Sequence, residues 1–351
     1  MPEPETPRRT TMADVADAAG VSVMTVSYAF NRPDRVAEET RRRVLAAARR
    51  LEYGGPSATA RSLRRGRTGA IGVVLGEPLG YAFDDYQATR FLSGVAQVCT
   101  DRDLSLMLLP ITGHASDTDL VTRAAVDGFV VWTTTDDAPA LEAVMAIRVP
   151  VAIHGGPPRD GATLVGIDDR AAARAIGRAA FAGRQRPAVM SFPLDADRRS
   201  LIVRGIDPYR STFPVTRNRL LGFRDACNDL GHDWADVTIG VCARNTRHDG
   251  RTMTRRLLDS SPAPDALVAM YDELALGAVH AAADRGIAIP GDLAISGWDD
   301  TPPAATAGVT TIHQDLRDHG AHCATAATAQ PSAPQWIQRP WQLVVRDTTS
   351  A

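Results

Sequence analysis

From Gly69 onward the chain repeats one rhythm: a short apolar run, a stretch of helical periodicity, then another apolar run. The runs are Ala70–Leu75, Leu104–Leu109, Gly128–Trp132, Val151–His154 and Leu164–Ile167. A second series follows at Ala188–Phe192, Thr238–Cys242, Ala266–Met270 and Leu293–Gly297. Helical stretches such as Ala171–Ala182, Arg219–Leu230 and Asp272–Arg285 lie between them. Such alternation leaves little choice of architecture. Successive strands run parallel, joined by right-handed crossovers that lay helices on the faces of the sheet. The predicted class is α/β, with doubly wound parallel sheets. Asp195–Arg217 is too long for an ordinary connection, carries several Arg and Pro residues, and receives no assignment.

The first 68 residues break this rhythm and differ in charge. They hold 13 Arg against 8 acidic residues, a net of +5; the remainder holds 39 − 13 = 26 against 41 − 8 = 33, a net of −7. A small basic head on an acidic body suggests a module that binds a polyanion. Every basic residue is arginine, which excludes Schiff-base lysines, a Walker-A lysine and a Ser-Lys pair. There is no GxGxxG after a strand, no HExxH and no GxSxG, so neither an enzyme nor a cofactor is expected. Cys99, Cys227, Cys242 and Cys323 are widely spaced, and the close pairs among His313, His319 and His322 read as solvated surface, so no metal site is expected. No apolar run reaches the ~18–20 residues of a membrane span. Met1–Arg9 has no apolar core of a secretory signal, so a cytoplasmic protein is expected.

Within the head, the spacing predicts three helices. Thr11 precedes Asp14 by three residues, a short-carboxylate capping box, and Val15, Ala16 and Ala19 follow at helical spacing. Gly20 stops that helix. Val21 turns inward, and Ser22 caps a second helix from Val23 to about Phe30. A third runs from about Ala37 to Tyr53, with Val44, Ala48 and Leu51 inward and Arg41, Arg42, Arg43, Arg49 and Arg50 outward. Two short helices joined by a tight Gly-containing turn form a helix-turn-helix, whose second helix leads into the DNA major groove with its N-terminal residues. Val26 and Ala29 face the core, and Thr25 and Ser27 suit phosphate contacts. Val23, Met24 and Tyr28 are left for base edges.

The stretch TMADVADAAGVSVMTVSYAFNRPDRVAEETRRRVLAAARRLEY, continued by PSATARSLRRGRTGAIGVV, resembles the DNA-binding head and hinge of the LacI/GalR family of bacterial transcriptional regulators. DGFVVW, VGIDD, RLLGF, DELALGA, AISGWDD, TTIHQD and QLVVRDTT extend the resemblance to nearly the whole chain. It implies a head over 1–55, a hinge over 56–68 and a two-lobed effector domain over 69–351. The chain would cross between lobes near Asp168, Asp315 and Pro331. That gives lobe 1 about 69–168 and 315–330, and lobe 2 about 169–314 and 331–351. Thr11, Ser22 and Asn31 join the residues above as DNA-contact candidates. In the hinge, Leu63 stands where the family wedges an apolar side chain between base steps, with Arg61 and Arg64 beside the minor groove.

The resemblance further implies a homodimer on a pseudo-palindromic double-stranded operator, controlled by a small sugar- or nucleoside-like effector between the lobes. Arg219, opening RLLGF, matches the ligand-binding arginine, and Asp299, in SGWDD, matches the acceptor facing it. Trp132 and Phe83 are candidates for an aromatic wall, Asp84 or Asp85 for a further acceptor. Tyr271 stands where relatives place a small polar residue, which predicts a smaller or flatter pocket. The alternative is a sugar-binding or enzymatic α/β protein with an incidental basic head.

Overall fold

A computed structural model describes residues 10–55, 67–113, 116–329 and 335–349, which divide into two compact units between Thr68 and Gly69. The hinge candidates Arg61, Leu63 and Arg64 lie outside the described residues.

In the head, α1 (Met12–Ala19), α2 (Val23–Asn31) and α3 (Glu38–Arg50) close around Val15, Ala16, Ala19, Val26, Ala29, Val44, Ala47 and Ala48. Local chemistry sets their ends. Thr11 and Asp14 bond reciprocally across the first turn of α1. Gly20 takes φ 62° and returns its N–H to the Ala16 and Asp17 carbonyls, a left-handed stop that glycine adopts without a Cβ penalty. The Ser22 hydroxyl then accepts the Thr25 N–H and starts α2. Phe30 packs edge-on against Tyr53, tying the end of α2 to the residues after α3.

The body carries two sheets. Its first lobe contains β1 (Ala70–Leu75), α4 (Tyr81–Asp84), α5 (Tyr86–Asp101), β2 (Ser105–Pro110), α6 (Ser116–Thr122), β3 (Gly128–Trp132), α7 (Pro139–Ala146), β4 (Val151–His154) and β5 (Ala162–Gly166). The second lobe runs through α8 (Asp169–Phe181), β6 (Pro187–Ser191), β7 (Leu201–Arg204), α9 (Pro214–Asp229), β8 (Thr238–Val241) and α10 (Arg247–Leu258). It continues with β9 (Ala266–Ala269), α11 (Asp272–Ala283), β10 (Ala294–Ser296), α12 (Pro302–Thr306) and β11 (Thr311–His313). The chain then returns to the first lobe as α13 (Leu316–Thr328) and β12 (Trp336–Gln338), and ends in the second as β13 (Gln342–Val344).

The first sheet has the order β12-β5-β4-β3-β1-β2 and is parallel throughout. Every residue of β1 is buried, which explains why AIGVVL reads as an unbroken apolar run: helices cover both faces. The second sheet, β10-β9-β6-β8-β7, is parallel except for β7, which pairs antiparallel with β8. That edge strand lies in the segment without a sequence assignment. A two-stranded antiparallel ribbon joins β11 to β13.

One lobe boundary differs from expectation. β12 pairs in parallel with β5, so the third crossing falls between Gln338 and Gln342 rather than near Pro331, and the 336–338 strand belongs to lobe 1. Three residues on a sheet edge, only Ile337 of them half-buried, carry no periodic signature to announce this. Helices α5 and α13 meet backbone to backbone. A Cβ on Gly94 would lie 1.9 Å from the Arg317 carbonyl oxygen, so only glycine allows that approach.

Candidate nucleic-acid interface and ligand cleft

Helix α2 presents its first turn outward. Val23 and Met24 are 46% and 59% exposed, an apolar pair that the head's own core does not use. Tyr28 is half-buried one turn on. Thr25 and Ser22 share a hydroxyl–hydroxyl bond at the cap, 2.9 Å, which fixes both side chains at the leading end of the helix. Thr11 plays the same capping part for α1. Ser27 departs from expectation. It is buried and so does not stand out toward a phosphate, while its carbonyl accepts Nδ2 of the half-buried Asn31 at 3.0 Å. Helical geometry explains this, since Ser27 falls beside Val26 on the side turned toward α1 and α3. Arg42, Arg43, Arg49 and Arg50 remain exposed along α3, while Arg41 is half-buried.

Between the lobes lies a cavity of about 130 Å³, of the order that one six-membered ring fills. It opens into a mouth of about 1100 Å³. Arg219 reaches the cavity from α9 and is only 5% exposed. Its Nε donates to Asp169 Oδ1 and its Nη1 to the Met270 carbonyl, both at 2.8 Å, and its guanidinium stacks 3.8 Å over Trp298. These contacts lock the fork in place, and among the described residues Nη2 has no hydrogen-bond partner.

Asp299 lines the same cavity, held at φ 98° in a turn after β10. Gln314 donates to its Oδ1 at 2.5 Å, and burial pushes its carboxyl up to about 7, against the pull of Arg219. Arg219 and Asp299 both belong to the second lobe, so they converge from one side rather than facing each other across the cleft.

The first lobe supplies the opposite wall. Asp85 caps α5, accepting the Ala88 N–H at 2.8 Å, and its other oxygen accepts the Tyr271 hydroxyl at 2.6 Å. Burial raises the Asp85 carboxyl, partly offset by the Tyr271 hydrogen bond. Tyr271 therefore spans the cleft and bonds to the first lobe, which accounts for the small cavity. Trp132 lies on the wall, packed on Phe91 at 4.7 Å between ring centroids. Two other expectations fail. Phe83 is 68% exposed and lines neither space, because its short helix α4 turns Tyr81 and Ala82 inward and Phe83 outward. Asp84 lines the wide mouth, not the cavity.

Sequence reasoning missed several wall residues. Gln87 lines the cavity and donates to the Asp299 carbonyl at 3.0 Å, a second bond between lobes. Glu77 pairs with Arg198 at 2.6 Å, and Arg198 also bonds the Gly76 carbonyl, so the unassigned segment clasps the first lobe. Arg217, at its far end, pairs with Asp136. His154 lines the cavity and meets His319 ring to ring, Nε2 to Nδ1 at 3.1 Å. His319 is thus buried, not solvated surface. Burial holds both rings below the ordinary histidine range, His319 at about 4. No group of three or more metal-ligating side chains occurs among the described residues, and no described helix is long and apolar enough to cross a membrane.

Residues 11–55 match the model for bacterial regulatory proteins of the lacI family, and residues 197–349 match a periplasmic binding protein-like domain. An HTH-type transcriptional regulator of Mycobacterium tuberculosis is 38% identical over 312 residues, 88% of this chain and 87% of that protein. The chain belongs to the LacI family of bacterial regulators. It is a DNA-binding transcriptional regulator. The ribose operon repressor of Escherichia coli is 29% identical over 324 residues, 88% and 89% of the two chains. Two solved structures share the fold. The regulator CelR, in complex with cellobiose, has TM-score 0.67 and 24% identity over 97% of this chain and 100% of that one. A lac repressor dimer bound to operator has TM-score 0.71 and 21% identity over 98% and 100%. In this LacI-family chain the two matched segments coincide with the two structural features described above, the outward first turn of α2 and the second-lobe wall of the cleft.

Proposed function

We propose that this regulator acts as a ligand-controlled repressor. A homodimer grips a pseudo-palindromic operator through α2, and a small polyhydroxylated ligand in the interlobe cavity changes that grip. One observation carries the reading: donors and acceptors from both lobes — Arg219, Asp299 and Tyr271 from the second, Asp85 and Gln87 from the first — converge on one ring-sized space. A ligand bonded to both walls stabilises one lobe arrangement over another, and only such differential affinity can shift an equilibrium. Hydroxyl groups suit the wall, since a planar guanidinium grips neighbouring oxygens and carboxylates accept hydroxyl hydrogens. The ribose operon repressor and the cellobiose complex of CelR support this reading by their names, and the operator-bound lac repressor supports the dimer.

Selection of bound sequences from random duplex DNA tests the first half. An inverted repeat is expected, with affinity falling about one log unit per log unit of salt for each phosphate neutralised. Gel shifts with the selected site and a cleft ligand test the second half, because reciprocity requires DNA to change ligand affinity by the same factor. A ligand that fills the cleft and leaves operator affinity unchanged refutes the coupling.

A further inference from the structure

The charges lining the cleft fix more than its affinity for hydroxyls. Among the described residues, each arginine on the cavity or its mouth already faces a carboxylate. Arg219 holds Asp169 at 2.8 Å and Arg198 holds Glu77 at 2.6 Å. At the mouth, Arg244 lies 3.2 Å from Asp249 and Arg247 lies 2.9 Å from Glu273. The carboxylates outnumber them. On the cavity wall, Glu77, Asp85 and Asp299 are three against Arg198 and Arg219, and Asp84 and Asp137 add to the excess at the mouth. The hydrogen bonds that Asp85 and Asp299 accept come from neutral groups, the Tyr271 hydroxyl, the Ala88 N–H and the Gln314 amide. A neutral histidine completes the wall.

An anionic ligand entering this space would meet surplus acidic groups and, among the described residues, no guanidinium without a carboxylate partner. A hydroxyl meets the opposite: acceptors at Asp85 and Asp299, a spare donor edge on Arg219, and the flat faces of Trp132 and Phe192. We infer that the effector of this chain is an uncharged polyhydroxylated molecule, and that Glu77, by occupying Arg198, excludes its phosphorylated and carboxylated counterparts. The inference rests on the ligand-control reading above. Arg198 is the position where this exclusion is adjustable. It lines both the cavity and its mouth, and it is held independently by the Gly76 carbonyl at 2.9 Å and by the Phe213 ring beneath it, 5.8 Å from the centroid. Removing the charge of Glu77 therefore leaves a positioned, unmatched guanidinium at the entrance.

The experiment is a binding panel on the full chain. Sugars, polyols and nucleosides are each measured beside their own phosphate ester or uronate, by calorimetry. Occupancy of the cleft is read from the fluorescence change that Trp132→Phe removes. In the wild type an uncharged member should bind on the order of 100-fold more tightly than its anionic counterpart. Glu77→Gln should narrow that ratio by roughly tenfold, through tighter binding of the anionic member, and Glu77→Asp should largely restore the wild-type ratio. An anionic member that occupies the wild-type cleft as tightly as its uncharged counterpart overturns the inference while leaving ligand control intact. An unchanged ratio in Glu77→Gln overturns the role of Glu77. Failure of every uncharged and anionic member to occupy the cleft overturns the ligand-control reading itself.

Discussion

Replacing Arg219 with alanine should unfold this protein as readily as it blinds the ligand site. Arg219 and Asp169 form a buried ion pair, 5% and 8% exposed, at 2.8 Å. The substitution removes that partner, frees the Met270 carbonyl and strips the cation from the face of Trp298. Removing one member of a buried pair costs about 3–5 kcal/mol, because the other charge stays in the interior. A typical domain has only about 5–15 kcal/mol in hand. Urea unfolding followed by circular dichroism should show a loss of that size. The loss should also depend on pH. Burial already raises the Asp169 carboxyl, and Arg219 opposes the rise. Without Arg219 the folded-state value climbs further, so the native variant takes up a proton at higher pH than its unfolded chain does. The gap from wild type should be widest at mildly alkaline pH and should narrow as pH falls through the variant's raised Asp169 value into the acid range. The double variant Arg219→Met/Asp169→Leu removes both charges and should recover most of the stability while staying blind to ligand. A loss below about 1 kcal/mol, or one of equal size across that pH range, refutes the buried-pair argument.

Met24→Ala and Tyr28→Ala should each cost about 1–3 kcal/mol on the selected operator and little on random DNA, whereas Arg42→Ala should weaken both and lower the salt slope by about one, all by gel shift. Asp299, with its folded-state value raised to about 7, adds stability at low pH that is lost as pH rises from about 4 through 7. Asp299→Asn should flatten that part of the urea-midpoint profile. Gly94→Ala, whose Cβ would meet the Arg317 carbonyl at 1.9 Å, should force α5 and α13 apart and lower stability by about 1–3 kcal/mol in thermal unfolding.

What the sequence determined by itself is whatever a few neighbouring residues can settle. The caps at Thr11 and Ser22, the left-handed stop at Gly20 and the fully buried β1 all depend on interactions within about four residues or on the burial of one continuous run. They were legible for that reason, and so were the nine body strands that the alternation named, to within a few residues. The motif around Arg219 and Asp299 likewise marked two true wall residues of the cavity. Tertiary structure alone decided the rest of the site. The Tyr271–Asp85 bond joins residues 186 apart and the His154–His319 contact joins residues 165 apart, so no local pattern encodes either. Phe83 and Asp85 sit two residues apart, yet one faces solvent and the other the cleft, because a four-residue helix ends between them and Asp85 turns back to cap the next. Short edge strands such as β7 and β12 gain their place from a partner's unpaired backbone rather than from their own side chains. Periodicity thus fixes which elements form, while the meeting of two lobes across long sequence separations fixes which polar groups share the cleft and what charge it can hold.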